Sequence, residues 1–289
     1  MEPRQFHQLA GQSSERYHAL LSGGLSAVAE NGLALEASAV TLAKAGQWRA
    51  AQVLRTVAEE EAGKFLILVD AARLGRHSQR KLRDQLKRAG DHLAKGLYAK
   101  ATEIRPADFK ELLGFLERER ATLYLDGPND VDWIFRNEIL SSREETLYVD
   151  LIRAETELLW LSPARFDTAW LGPDPPAAVR LMASLASLGC CRPGAPRVLW
   201  DVWRGFTPEA DTHWHEVEQL VEQTIEQFKA RGLVEDSFNQ HDYRVILASW
   251  TFPLYGVEIK QIDIDPTSLA ERRRLILEGL RAQDYGFEG

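Results

Sequence analysis

Apolar residues return every three or four positions along most of this chain, the repeat of helices that bury one face. The repeat predicts a first helix over 14–30, with Ser13 or Ser14 as its cap and Leu20, Leu21, Leu25 and Val28 facing inward. Gly23-Gly24 weakens its middle, and Asn31-Gly32 reads as a stop. A second helix, about 33–45, carries Leu33, Leu35, Ala37, Val40, Leu42 and Ala43 and ends at Gly46. A third runs from near Gln47 to about Leu74. Only Ala45 to Gln47 separate the two, so they should be antiparallel neighbours. A fourth pattern, from about Ser78 to Ala101, places Leu82, Leu86, Ala89, Leu93 and Leu97 on one face. Pro106 stands at the start of a further helix over 107–120, and Leu123 to Pro128 closes it in a turn. Ser141 or Ser142 should cap a helix over 142–161.

Pro163, Gly172, Pro173, Pro175 and Pro176 make 162–176 the best linker. It divides the chain into a helical bundle over 1–162 and a mostly helical region over 163–289. Helical patterns resume at 176–188, 195–204, 208–231 and 266–282. The one strand signal lies between Tyr243 and Ile264, where an apolar run is followed by alternation through Val257, Ile259, Ile262 and Ile264, as in a small β-hairpin. The fold class expected is therefore all-α.

Two polar patterns stand out against this frame. Glu61 lies on the apolar stripe of the third helix, with Leu54, Val57, Ala58, Phe65 and Leu68. A carboxylate there needs a partner or a purpose, because an isolated buried charge is costly. Lys64, at i+4 from Glu60 and i+3 from Glu61, can pair with either. On the fourth pattern Arg88, His92 and Lys95 follow at helical spacing and should share one edge, beside the small residues Ala89 and Gly96. One reading is a polar network that fixes the register of the bundle. The other is a cluster of acid, imidazole and cations facing a polyanion.

Charge sharpens the second reading. The chain of 289 residues has a net charge of −8, which argues against a general nucleic-acid binder. From Arg73 to Lys100, however, nine basic residues meet only Asp84 and Asp91, a local +7. The acidic pattern at 208–228 could cover this basic stretch in an inactive state. Cys190 and Cys191 are the only cysteines, a usage that fits the cytoplasm. No apolar run is long enough for a membrane span, and the N-terminus lacks a signal-peptide core. His213 and His215, two apart on a helical pattern, point to different sides and read as surface residues, not metal ligands. No phosphate-cradling glycine loop is present, and no cofactor is expected.

Taken together, these residues carry a family resemblance. Ala58, Glu60, Glu61, Gly63 and Lys64 form A-x-E-E-x-G-K, His92 and Lys95 form H-x-x-K, and Arg120, Leu123, Tyr124 and Asp126 form R-x-x-x-L-Y-x-D, with Trp133 shortly after. Over roughly 30–161 the chain resembles the AbiV family of abortive-infection phage-defence proteins, a branch of the HEPN superfamily. The resemblance implies a helical bundle, commonly a homodimer, with polar residues lining a cleft. It also implies a cytoplasmic effector that blocks translation or growth as a metal-independent endoribonuclease, with RNA as substrate and a phage protein as activator. Glu60, Glu61, Lys64, Arg88, His92 and Lys95 would then be catalytic, and Arg80, Arg83, Lys87 and Tyr124 would bind RNA. The usual HEPN ribonuclease motif sets four to six residues between an arginine and the histidine. Here Arg88 precedes His92 by three intervening residues and Arg83 by eight, and only Lys87 has four. The alternative function is a non-catalytic dimeric interaction module in which the Glu, Lys and His set is structural.

Overall fold

The computed structural model describes residues 5–122, 124–125, 133–134, 137–154, 157–161 and 174–265, with 267, 268, 271, 274 and 275 beyond them. The described chain is built almost wholly of helices. α1 (Ser14–Lys44) and α2 (Trp48–Leu74) form a long antiparallel pair. Tyr17 donates to the Ala71 carbonyl at one end of the pair, at 3.0 Å, and Arg55 meets Glu36 towards the other, at 2.7 Å. The stop expected at Asn31-Gly32 does not occur, and α1 runs through it. Gly32 serves packing instead: a Cβ there would stand 2.6 Å from the Met182 methyl group and 3.3 Å from the Glu61 Cβ.

The fourth pattern breaks in two. α3 (Gln79–Lys87) passes through a 3-10 turn, Arg88–Gly90, into α4 (His92–Lys100). Asp91 causes the break. Its backbone is extended and its side chain accepts from Ala94 N at 2.9 Å, capping a new helix. α5 (Phe109–Glu119) follows, then a two-residue pairing of β1 (Tyr124–Leu125) with β2 (Trp133–Ile134). α6 (Glu138–Leu147) is capped by Asn137, whose amide also donates to the Glu119 and Ala121 carbonyls at 2.8 and 3.0 Å. The helix expected over 142–161 ends at Leu147. Beyond it β3 (Asp150–Ala154) and β4 (Glu157–Leu161) form an antiparallel hairpin, in keeping with the strand preference of Tyr148, Val149, Ile152 and Trp160.

α7 (Ala177–Leu188), α8 (Ala195–Trp203), α9 (Trp214–Ala230) and α10 (Gln240–Ser249) complete the described helices. The strand signal was misplaced. Asn239 caps α10 across its first half, and the alternating second half is a single extended strap. Its residues bond to the N-terminal helices. Leu254 N donates to Asp70 at 2.7 Å, and Arg88 donates to the Leu254 and Val257 carbonyls, each at 2.6 Å. Arg120 Nε reaches the Lys260 carbonyl at 2.7 Å, and Ala121 bridges Ile262. The helix expected over 266–282 lies largely outside the described residues.

One hydrophobic core joins the segments on either side of residue 163: Phe65 and Leu68 of α2 belong to the same buried cluster as Leu181, Leu199 and Trp203. At its centre the buried Arg73 guanidinium lies between the Trp203 and Trp250 rings, 3.7 and 4.0 Å from their centroids, and bonds to Asp70 at 3.0 Å. Asp70 also accepts from the Tyr98 hydroxyl at 2.9 Å.

Candidate functional site

α2 and α4 meet unusually closely because Gly63 has no side chain. A Cβ at Gly63 would lie 2.1 Å from the Lys95 carbonyl oxygen. That contact brings the first turn of α4 against the middle of α2. α6 closes on α4 in the same way, since a Cβ at Gly96 would lie 2.1 Å from Ile139 Cγ2. The glycines of two short motifs thus set three helices around one point.

Glu60 occupies that point. Its carboxylate lies 2.9 Å from His92 Nδ1, accepts from Lys95 Nζ at 2.7 Å and pairs with Arg143 Nε of α6 at 3.0 Å. Lys95 Nζ is also 3.2 Å from His92 Nδ1. The Lys95 side chain is sealed at 3 % exposure and Glu60 sits at 16 %, while His92 is 35 % exposed and Arg143 29 %. The cluster therefore has a dry floor and an open rim. Burial raises the Glu60 carboxyl, but the hydrogen bonds and charges of Lys95 and His92 outweigh it, and its pKa lies below the ordinary value. The ionised carboxylate accepts, so the geometry suits an Nδ1–H tautomer of His92. Nε2 then carries the lone pair and has no protein partner among the described residues.

The neighbouring Glu59 behaves differently. Burial, then the charge on Glu103, pushes its carboxyl up to about 7.

The other candidates are placed as follows. Glu61 turns towards α1 and forms an ion pair with Lys64 one turn on, with 13 and 17 % of their side chains exposed. Arg88 is not brought to the cluster. Three residues before His92 would be one turn on a continuous helix, but the Asp91 break redirects it, and its guanidinium is taken up by Gln85 and the strap carbonyls. Arg80, Arg83 and Lys87 are exposed on α3, with Lys87 beside Asp84 at 3.5 Å. Tyr124 is described only as backbone, paired with Ile134 in β1, and Leu123 and Asp126 lie outside the described residues. α9 does not pair its acids with α3. It packs on α8 and α10, and its Glu218 meets Arg105 at 3.5 Å. His213 caps α9 and His215 pairs with Glu218 at 3.1 Å. Among the described residues no group of three or more His, Cys, Asp or Glu is placed to hold a metal ion, and no helix is long and apolar enough to cross a membrane.

Arg143 was not among the candidates. Its sequence context, Ser-Ser-Arg-Glu-Glu, is that of any exposed helix, and only the Gly96–Ile139 contact carries it to Glu60.

A family model described as AbiV, of the HEPN type, matches residues 20–171, just over half of the chain. No curated protein and no solved structure matches.

Proposed function

The chain belongs to the AbiV family of the HEPN superfamily, a family of abortive-infection defence, and on that premise we propose that it acts by cutting RNA through the Glu60–His92 pair. One observation carries the reading: a carboxylate 2.9 Å from Nδ1 of an imidazole whose other edge reaches solvent. Such a pair makes Nε2 a general base. In the proposed step Nε2 takes the proton of a ribose 2′-hydroxyl and the 2′-oxygen attacks the adjacent phosphorus. The bond to the 5′-oxygen breaks, and that oxygen takes a proton from solvent. The products are a 2′,3′-cyclic phosphate and a free 5′-hydroxyl. Glu60 holds the tautomer and balances the imidazolium that forms, and Lys95 fixes Glu60 from the buried side. Glu61 and Lys64 maintain the α1–α2 packing. In cells the effector stays silent until a phage component releases it.

The test uses infected cells, which supply the trigger, together with purified protein and total RNA in a chelator. Wild type should restrict phage plating and yield cyclic-phosphate ends, and His92→Ala should abolish both. Glu60→Gln should lower cleavage by about 10²–10⁴-fold. If His92→Ala protects as well as wild type, the enzymatic reading fails.

The sealed position of Lys95 favours a second reading, an interaction protein whose Glu60, His92 and Lys95 fix the packing of α2 on α4. In that case Glu60→Gln lowers the melting temperature while defence survives at permissive temperature. In either reading the protein works as a homodimer. The β3–β4 hairpin supports this. Leu151 pairs across it with Trp160, and Leu151, Leu158 and Trp160, all well exposed, lie on one face. A two-stranded hairpin with a bare apolar face is marginal alone and invites cover by a second copy.

A further inference from the structure

A site that handles a phosphodiester needs a cation with donors to spare, and most of the cations suggested by spacing have none. Lys64 is paired with Glu61, and Lys95 is sealed behind Glu60. Arg88 spends its guanidinium on the Gln85 side chain and two strap carbonyls. Arg143 differs. It touches Glu60 through Nε alone, at 3.0 Å, and its terminal amino groups meet no acceptor among the described residues. It stands on the open rim beside His92, held there because Ile139, one turn earlier on α6, fits against Gly96. The local charge also fits. With a neutral imidazole, Lys95 and Arg143 against Glu60 leave one positive charge, matched by the single negative charge of a phosphodiester.

We propose that Arg143 is the phosphate-holding residue of this site, its two terminal amino groups gripping the non-bridging oxygens of the RNA phosphate that faces His92 Nε2. It stands in for the arginine that HEPN ribonuclease motifs set before the histidine. A guanidinium is suited to this because its parallel N–H groups match two oxygens of one phosphate. Anchoring through Nε to Glu60 leaves that fork pre-oriented. The proposal rests on the ribonuclease reading for the chemistry that follows, but not for the binding itself.

The test measures binding and cleavage separately. Binding is followed by fluorescence anisotropy with a 2′-O-methyl RNA 12-mer, which lacks the attacking hydroxyl and cannot be cut. Arg143→Ala should weaken binding by about 10-fold or more, the scale of a lost charge-assisted pair. It should also lower the slope of log affinity against log salt by about one. Arg143→Lys should restore the salt slope but not the full affinity. The melting temperature of both variants should stay near wild type, because the side chain is partly exposed. On cleavable RNA, Arg143→Ala should lose cleavage, and added guanidinium at millimolar concentration should restore part of it. If wild type cuts RNA and Arg143→Ala cuts and binds equally well, the assignment of Arg143 is wrong and the ribonuclease reading stands. If wild type binds through Arg143 but no RNA is cut in infected cells, the assignment stands and the ribonuclease reading falls. If wild type binds no RNA at all, the assignment is overturned.

Discussion

Replacing Gly63 with alanine tests the α2–α4 contact on which the site rests. The new methyl carbon would begin 2.1 Å from the Lys95 carbonyl oxygen. A carbon and a carbonyl oxygen rest at about 3.3 Å, so the backbones must part by about 1.2 Å. No side-chain rotation relieves this, because the obstacle is main chain. A comparable retreat of α4 would stretch the 2.7 Å bond from Lys95 to Glu60 beyond hydrogen-bonding range. Overpacking costs about 1–3 kcal/mol. Loosening a buried pair costs up to about 3–5 kcal/mol. The helical preference for alanine over glycine returns about 1 kcal/mol. The net expectation is about 2–4 kcal/mol of destabilisation, a fall in melting temperature of about 5–10 °C by calorimetry. Cleavage should suffer further, because a misplacement of about 1 Å at a reacting group can cost about 100-fold. Gly23→Ala is the matched control: nothing lies within 4 Å of its Cβ position in α1. It should stabilise by about 0.5–1 kcal/mol. If Gly63→Ala melts at or above wild type, α4 does not lie against α2 as closely as described and the account of the site fails.

Other substitutions probe the rest. Glu59 has a folded-state pKa above its unfolded value, so the native protein holds the extra proton between about 4.5 and 7 and loses stability as pH rises through that window. Glu59→Gln should therefore melt like wild type at pH 5 and above it at pH 8, and equal melting at both would show that Glu59 is ordinarily charged. Arg73→Ala should cost about 3–5 kcal/mol in a denaturant titration, since it leaves the buried Asp70 carboxylate short of its cation. A loss below 1 kcal/mol would mean that the Asp70 charge is satisfied elsewhere. Trp160→Glu should weaken self-association about 30-fold or more by light scattering, as for a central interface tryptophan, and a monomeric wild type would end the dimer reading.

Much of this arrangement was legible in the residues, and the gaps have physical causes. The A-x-E-E-x-G-K stretch marks α2 at the point where Gly63 admits another backbone, and the H-x-x-K pair lands beside it. The choice between Glu60 and Glu61 could not be read, because adjacent helical residues diverge by about 100°, and only the packed neighbours decide which faces α4. The helix break was readable in principle: Gly90-Asp91 before an apolar turn is a stop followed by a cap, masked by an otherwise unbroken helical repeat. The continuity of α1 was harder. Asn31-Gly32 looks like punctuation, and only the Met182 methyl group explains why a glycine is wanted inside a helix. Arg143 was beyond reach, since its role comes from a contact between α4 and α6 rather than from its own surroundings.

The stack of Arg73 between two tryptophan rings bears on how the gene can be divided. The recognisable segment ends at residue 171, yet Trp203, Trp250 and Leu254 supply the roof over Asp70 and Arg73. A protein trimmed to the recognisable segment would turn those two charges and a broad apolar floor outwards to water. It would be prone to clump rather than to fold. Chimaeras between relatives should for the same reason exchange Asp70, Arg73 and Arg88 together with whatever sequence replaces the roof.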